Sequence, residues 1–213
     1  MNDNKDTDKY YTIAKPNRAE IKVKGSKFIA SVSGVTTKEE AIDFLEAIRA
    51  EFFDATHNCF AYRIGAEGLE FRAADDGEPN GSAGKPMLFA ISKFDLSDII
   101  VVVTRYFGGT KLGVGGLARA YSDAVEAVIS LCDKKVIHRT LPVRVFCTYE
   151  DISPVKKLVD DYSVKFEETY ADAVEYTAFV PQSKAEEFAK KVFTNTFGRA
   201  GAIVEKNEVK IRE

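Results

Sequence analysis

Two stretches in the first half of the chain hold the residue types that could do chemistry. The first is Asp75-Asp76-Gly77-Glu78-Pro79-Asn80-Gly81-Ser82-Ala83-Gly84. Its carboxylates Asp75, Asp76 and Glu78 repel one another unless positive charge sits among them, either Arg or Lys side chains or a hard cation such as Mg²⁺. Its glycines and proline make a shaped loop with an open backbone. The second stretch runs from Thr104 to Arg119 and contains Gly108, Gly109, Gly113, Gly115 and Gly116. It joins a β-branched run to a helical pattern, the place where α/β folds tend to bind ligands. Backbone N–H groups, a helix N-terminus and the charges of Arg105, Lys111 and Arg119 together would make an anion or phosphate cradle. Plainer readings stand beside both: a solvated acidic turn, and glycines that only allow a β-α turn to pack tightly.

The two stretches are complementary in charge. They could pair directly and form one rigid surface, or stay apart and bind a ligand carrying a cation and a phosphate; the sequence does not choose. Familiar nucleotide motifs do not fit. Gly84-Lys85 is followed by Pro86 and the position five before Gly84 is Pro79, so there is no G-x-x-x-x-G-K-[ST]. Gly113-x-Gly115 lacks the last glycine of G-x-G-x-x-G, because position 118 is Ala. Ser82 lies in Gly-Ser-Ala-Gly, not in a G-x-S-x-G elbow. His57 opens the pattern His57-Asn58-Cys59, and on a strand His57 and Cys59 share a side, so both could face one pocket. A His at a strand start more often bonds a loop. Tyr106 and Phe107 are the aromatics placed for stacking or partner contact, whereas His138 lies at the junction of the two halves and carries no expected chemistry. The candidate binding set is therefore Asp75, Asp76, Glu78, Arg105, Tyr106, Gly108, Gly109, Lys111, Gly115, Gly116, Arg119 and His57, with no catalytic residue assigned and Mg²⁺ near the three carboxylates as the one cofactor to consider.

These stretches need elements to hold them. With 213 residues, 45% of them hydrophobic, 15 Phe and 9 Tyr, the chain can fill real cores; only the polar start Met1–Lys9 reads as disordered. The net charge of −3 gives no case for tight non-specific nucleic-acid binding. Met1 leads into a polar run without an apolar h-region, and no apolar run approaches ~18 residues, so a cytoplasmic protein without a membrane span is expected. Cys59, Cys132 and Cys147 are far apart, each in an apolar stretch, and read as buried free thiols. In the first half, strands are expected at Arg18–Val23, Lys27–Ser33 and His57–Ile64, a short return strand within 65–72, and a strand buried on both faces at Ile99–Val103. A capping box at Thr37-x-x-Glu40 opens a helix with the stripe Ala41, Phe44, Leu45, Ile48, Phe52. A short helix is expected at Lys85–Ile91 and a long one from Gly116 to about Cys132. A break near 133–140 divides the chain into domains 1–135 and 136–213. The second half reads as a strand at Val143–Tyr149, a helix capped by Ser153 with Pro154 to about Asp161, strands at Val164–Tyr170 and Ala173–Val180 around a turn at Ala171-Asp172, a helix behind a Ser183-x-x-Glu186 capping box, and a last strand Ala202–Ile211. That order, β-α-β-β-α-β, is ferredoxin-like, and it hosts too many functions to name one.

The motifs themselves resemble a known family. Asp75-Asp76-Gly77-Glu78-Pro79 with Gly81-Ser82-Ala83-Gly84, Val101–Gly109, and Leu112-Gly113-x-Gly115-Gly116-Leu117-x-Arg119-Ala120-Tyr121 resemble the signature of the IMPACT/YigZ family, and His57-Asn58-Cys59 and Gly25-Ser26-Lys27-Phe28 fit it as well. The likeness covers about the first 130 residues; Asn80-Gly81-Ser82 stands where the family pattern has Ser-Gly-Thr, a swap of small polar residues. The resemblance implies an α/β (α+β) protein: an N-terminal β-α sandwich like a ribosomal-protein domain, then a ferredoxin-like domain like the C-terminal domain of an elongation factor. It also implies a role in translation, since eukaryotic relatives regulate translation under amino-acid starvation by competing for the activator of a translation-factor kinase. That pathway is eukaryotic and the present architecture looks bacterial, so the partner does not carry over. Two readings follow: a non-enzymatic regulator that binds RNA, the ribosome or a ribosome-associated protein, or a Mg²⁺-dependent enzyme acting on a phosphorylated, nucleotide-like small molecule.

Overall fold

The structure is a computed structural model that describes residues 8–171 and 173–212. The chain divides into two compact units: Tyr11–Lys135, and Val136–Glu213 together with the N-terminal segment ending at Tyr10. Of the polar start expected to be disordered, residues 1–7 lie outside the described residues, while Lys9 opens a strand, β1 (Lys9–Ile13), that the sequence reading did not contain.

The first unit is built on β2 (Asn17–Val23), β3 (Ser26–Gly34), α1 (Lys38–Glu51), β4 (His57–Ile64), β5 (Glu70–Ala74), α2 (Gly84–Lys93), β6 (Ile99–Tyr106) and α3 (Gly113–Ser130). Its sheet has the order β2-β3-β6-β4-β5, and every pairing is antiparallel. Central β6 shows the logic of the pleat, in which alternate side chains take opposite faces. Ile99, Val101 and Val103 pack with Phe28, Ala30, Val32, Cys59 and Ala61 under α2 and α3. Ile100 and Val102 pack with Phe60 and Tyr62 under the Ala41, Leu45 and Ile48 stripe of α1. A β-branched run buried on both faces is thus the middle of a helix-covered sheet.

Helix starts follow local chemistry. Thr37 Oγ1 accepts the Glu40 N–H at 3.2 Å, as a cap should. The returning Glu40 carboxylate, however, accepts from Thr36 N–H at 2.6 Å and Thr36 Oγ1 at 2.9 Å, one residue earlier than a capping box requires. Helix α3 begins at Gly113, three residues before the expected Gly116. Glycine lowers helix propensity, yet the first turn tolerates Gly113, Gly115 and Gly116.

The second unit contains β7 (Lys134–Cys147), α4 (Ile152–Tyr162), β8 (Lys165–Tyr170), β9 (Val174–Pro181), α5 (Ala185–Asn195), β10 (Gly201–Val204) and β11 (Val209–Arg212). The order β10-β7-β9-β8 with two helices on one face is the ferredoxin-like arrangement. Strand β1 joins the same sheet beside β7. Three expectations are corrected here. Ser153 is inside α4 rather than its cap, because a 3₁₀ turn at Tyr149–Asp151 starts the helix earlier. Ser183 does not cap α5: its N–H donates to Asp8 Oδ1 at 2.8 Å and its hydroxyl to Asp8 Oδ2, and the helix starts at Ala185. The last strand is two strands. Val204 pairs with Val143 and Val209 with Thr140, so five steps on one chain face three on the other. The interruption lies opposite Pro142, whose carbonyl accepts from Glu205 N–H at 2.9 Å but which has no N–H to return. Of the turn at Ala171-Asp172, Asp172 lies outside the described residues.

Candidate functional site

Strand register brings the candidate residues together. Arg105 on β6 faces Phe28 on β3 and His57 on β4, so the three form one row across the sheet, on the face covered by α2 and α3. Cys59 lies one pleat further in, on the same side as His57. Glu78 enters this row from the acidic loop. Arg105 Nη1 donates to Glu78 Oε1 at 2.7 Å, and Tyr121 Oη on α3 donates to the same oxygen at 2.7 Å. His57 Nε2 stands 3.9 Å from Glu78 Oε2. The two charged side chains are almost fully buried, 3% exposed for Glu78 and 6% for Arg105. Arg105 Nη2 donates to Ser26 Oγ at 3.2 Å, and its guanidinium lies 5.3 Å from the Phe28 ring centre and 5.6 Å from that of Phe107. The acidic and glycine-rich stretches therefore pair through Glu78 and Arg105.

The other two carboxylates are held by different donors. Residues 75–78 form a turn in which Glu78 N–H donates to Asp75 O at 2.9 Å. Asp76 and Gly77 have φ of 44° and 88°, the signature of a type I′ turn, which Asp-Gly favours. The Asp75 carboxylate accepts backbone N–H bonds from Gly81 at 2.7 Å, Gly84 at 2.8 Å and Ala83 at 2.9 Å. Burial acts to raise the Asp75 carboxyl, but those three bonds and the charge of Lys85 outweigh it and hold it below the ordinary carboxylate range. Asp76 Oδ1 accepts from Arg49 at 3.0 Å, and its Oδ2 from the Asn58 N–H at 2.7 Å. Each carboxylate has its own protein partners, and among the described residues no three His, Cys, Asp or Glu side chains gather as a metal-ligating set.

Cys59 and Tyr121, beside Glu78, keep their protons. Burial pushes the Cys59 thiol up to about 12, and burial likewise raises Tyr121. Cys59 Sγ lies 3.3 Å from Tyr121 Oη and 3.0 Å from Asp75 O, so its single proton has two acceptors and the sulfur is a poor nucleophile. His57 Nδ1 lies 2.8 Å from the Asp76 carbonyl. A carbonyl only accepts, so Nδ1 carries the proton and Nε2 is turned toward Glu78.

Beyond Arg105 the chain is open to solvent. Phe107–Lys111 and Gly113–Gly115 are exposed. Gly108 is required by close approach: a Cβ there would lie 1.9 Å from Gly25 C and 2.1 Å from Gly25 O. Gly109 and Gly113 have φ of 84° and 72°. Gly115 faces open space, and Gly116 would meet only Leu112 Cβ at 3.2 Å. Tyr106 points to the opposite face of the sheet, where its hydroxyl donates to Asp54 at 2.7 Å and Lys27 lies over its ring. Lys111 borders a cavity of about 350 Å³ shared with Glu78 and Arg105. Arg119 borders a different groove of about 660 Å³ between α2 and α3, with Lys85 and Phe89. The cations read together in sequence thus serve two places, Arg105 and Lys111 at one cavity and Arg119 at another groove. Tyr121 and Ser26 enter the sequence reading only within the motifs of the family resemblance and Arg49 not at all, and none of the three has a role at the loop there. The available signal was Tyr121 itself, since a phenol buried at mid-helix needs a partner for its hydroxyl.

Comparison with known proteins agrees with the two-unit architecture. The Impact N-terminal domain model matches residues 24–129, and a domain of unknown function, DUF1949, matches residues 145–199. The chain is 37% identical over 196 residues to the IMPACT family member YvyE of Bacillus subtilis, covering 90% of this chain and 88% of that protein. It is 35% identical over 111 residues to the Protein IMPACT homolog of Saccharomyces cerevisiae, covering 50% and 42%. A crystal structure described as that of a hypothetical protein aligns with 94% of this chain and 99% of its own, with a TM-score of 0.66 and 29% identity.

Proposed function

The chain belongs to the IMPACT family, and from that premise we propose that it is a non-enzymatic binding protein acting in translation, with the exposed loop Phe107–Gly116 as its contact surface. The observation that carries this reading is the way the acidic stretch is used. Asp75 is taken up by three backbone N–H groups, Asp76 by Arg49 and a backbone N–H, and Glu78 by Arg105 and Tyr121. These bonds fix the acidic stretch and, through Glu78, Arg105 at the base of the glycine-rich loop, where the Phe107 and Gly108 N–H groups donate to Thr56 Oγ1 at 3.3 Å and Ser26 Oγ at 3.2 Å; Lys111 lies exposed beyond this anchored base. Rigid presentation is what a recognition loop needs. Catalysis needs a reactive group placed against a substrate; here Cys59 and Tyr121 hold their protons and Arg105 is committed to an ion pair. A role in translation is what the family resemblance implies, and the partner's class is RNA, the ribosome or a ribosome-bound protein.

The test is co-sedimentation of the full chain with ribosomes at low and high salt, beside Lys111→Ala and Lys111→Ala/Arg119→Ala variants. Arg105 is left intact because it is structural. Binding that weakens with salt and is lost in folded variants supports the reading. Wild-type protein remaining in the supernatant at low salt overturns direct ribosome contact. A thermal shift that requires both Mg²⁺ and a nucleotide would favour the enzyme reading instead.

A further inference from the structure

We propose that the cavity beneath the glycine-rich loop binds a small organic monocarboxylate with an apolar body. Its volume of about 350 Å³ suits a single ring or a short acyl chain. Phe107, Leu112, Val114 and Leu117 provide apolar walls, and Arg105 and Glu78 are the buried polar residues that line it. The Arg105 side chain is 6% exposed, and its Nε has no hydrogen-bond partner among the described residues, while Nη1 and Nη2 are engaged by Glu78 and Ser26. Arg105 thus lines the cavity with a buried guanidinium that keeps one N–H without an acceptor in the protein. Lys111 borders the same cavity with no partner among the described residues. Helix α3 starts there as well: Gly113 and Val114 line the cavity, and Leu112, at the cap position, makes no side-chain bond to the first-turn N–H groups.

Charge selects the ligand class. Arg105 and Lys111 contribute two positive charges and Glu78 one negative, so the cavity wall carries one net positive charge. A carboxylate neutralises it. A phosphate dianion would leave excess negative charge beside Glu78 in a partly desolvated site, which is costly. The apolar walls then favour a hydrocarbon or aromatic body over a sugar or a polyol. This inference does not rest on the translation reading, since it concerns the isolated protein.

The experiment is ligand-observed NMR and calorimetric titration of the full chain, without ribosomes, using benzoate and hexanoate as probes. Benzamide serves as the neutral match to benzoate, and phenyl phosphate as the dianion. Benzoate or hexanoate is expected to bind, and benzamide to bind at least ~10-fold more weakly, because the charge-assisted bond is lost. Lys111→Ala should weaken the carboxylate by a similar factor. Phe107→Ala should weaken it through lost wall area, whereas Arg119→Ala, in the other groove, should leave it unchanged. The proposal is overturned by no binding of either carboxylate at about 10 mM, a concentration well above a Kd that even a few contacts would give. It is equally overturned by equal affinity for benzamide, by tighter binding of phenyl phosphate, or by carboxylate binding undiminished in both Lys111→Ala and Phe107→Ala.

Discussion

Glu78 and Arg105 lie at the contact between two stretches that the sequence could only describe as complementary in charge. Their burial decides the size of the effect. Removing one partner of a buried ion pair strands the other, at a cost of about 3–5 kcal/mol. Glu78→Ala and Arg105→Ala are each expected to lose stability of that order in urea unfolding, and the double variant to lose much less than their sum, because neither charge is then stranded. A double loss equal to the sum would show that the two side chains act independently. Asp75 gives a pH prediction. Its carboxyl is held below the ordinary value of about 3.9, so its charged form is favoured by folding. That contribution is fully present above about pH 3.9 and is lost as pH falls through the lower folded-state value. The stability difference between wild type and Asp75→Asn should be flat from pH 5 to 8 and shrink on acidification below about pH 4. A difference that grows on acidification would contradict the assignment. Cys59, with its thiol pushed up to about 12, should resist alkylation in the native state at pH 8 and react on unfolding; mass spectrometry of labelled peptides reads this directly. The site was legible as residue types but not as partners. Nothing local distinguishes Arg105, which turns inward on a strand with the parity of Val101 and Val103, from Lys111, which turns outward on a loop.

At the scale of elements, the glycine-rich stretch shows what a composition pattern conceals. Five glycines in nine residues look alike in sequence, yet they meet different constraints. Gly108 passes against the backbone of Gly25, where a Cβ would overlap at 1.9 Å, while Gly115 has nothing within 4 Å and lies in the first turn of α3. Gly108→Ala should therefore destabilise by about 1–3 kcal/mol or more, since the obstructing atoms are backbone and cannot rotate away. Gly115→Ala should stabilise by up to about 1 kcal/mol through helix propensity. Thermal unfolding of the two variants checks both signs, and equal effects would deny that the Gly25–Gly108 approach exists. Strand periodicity was readable wherever one strand decides its own pattern, as in β6 and β9. Helix starts were less readable, because Ser183 and Ser153 are cap-type residues whose use depends on what else is near. Ser183 is bonded to Asp8, 175 residues earlier in the chain. Likewise the split of the last strand follows from Pro142 on its neighbour, not from the segment itself.

For the whole molecule, the boundary near residue 135 describes the chain only in part, because the segment ending at Tyr10 belongs with the unit that begins at Val136. Local pattern could not show this: a short strand, Lys9–Ile13, finds its place only through a partner more than 100 residues away. The physical tie is specific. Asp8 O accepts the Arg139 N–H at 2.7 Å, the Asp8 carboxylate accepts both the N–H and the hydroxyl of Ser183, and β1 runs beside β7. A fragment covering 136–213 would lose all of these, leaving the N-terminus of α5 without its acceptor and one side of β7 unpaired along β1. A contact of this kind is worth about 1 kcal/mol per hydrogen bond, and a domain of under 80 residues has little reserve. Asp8→Ala in the full chain isolates the side-chain part. Amide hydrogen exchange at Ser183 and through the first turn of α5 is expected to speed up by roughly 5-fold, which corresponds to about 1 kcal/mol of local stability, while exchange in β3, β4 and β6 stays unchanged because those strands belong to the other unit. Faster exchange across both units would mean that Asp8 contributes to one cooperative whole. Unchanged exchange at Ser183 would mean that the N-terminal segment is a passenger rather than a part of the ferredoxin-like unit.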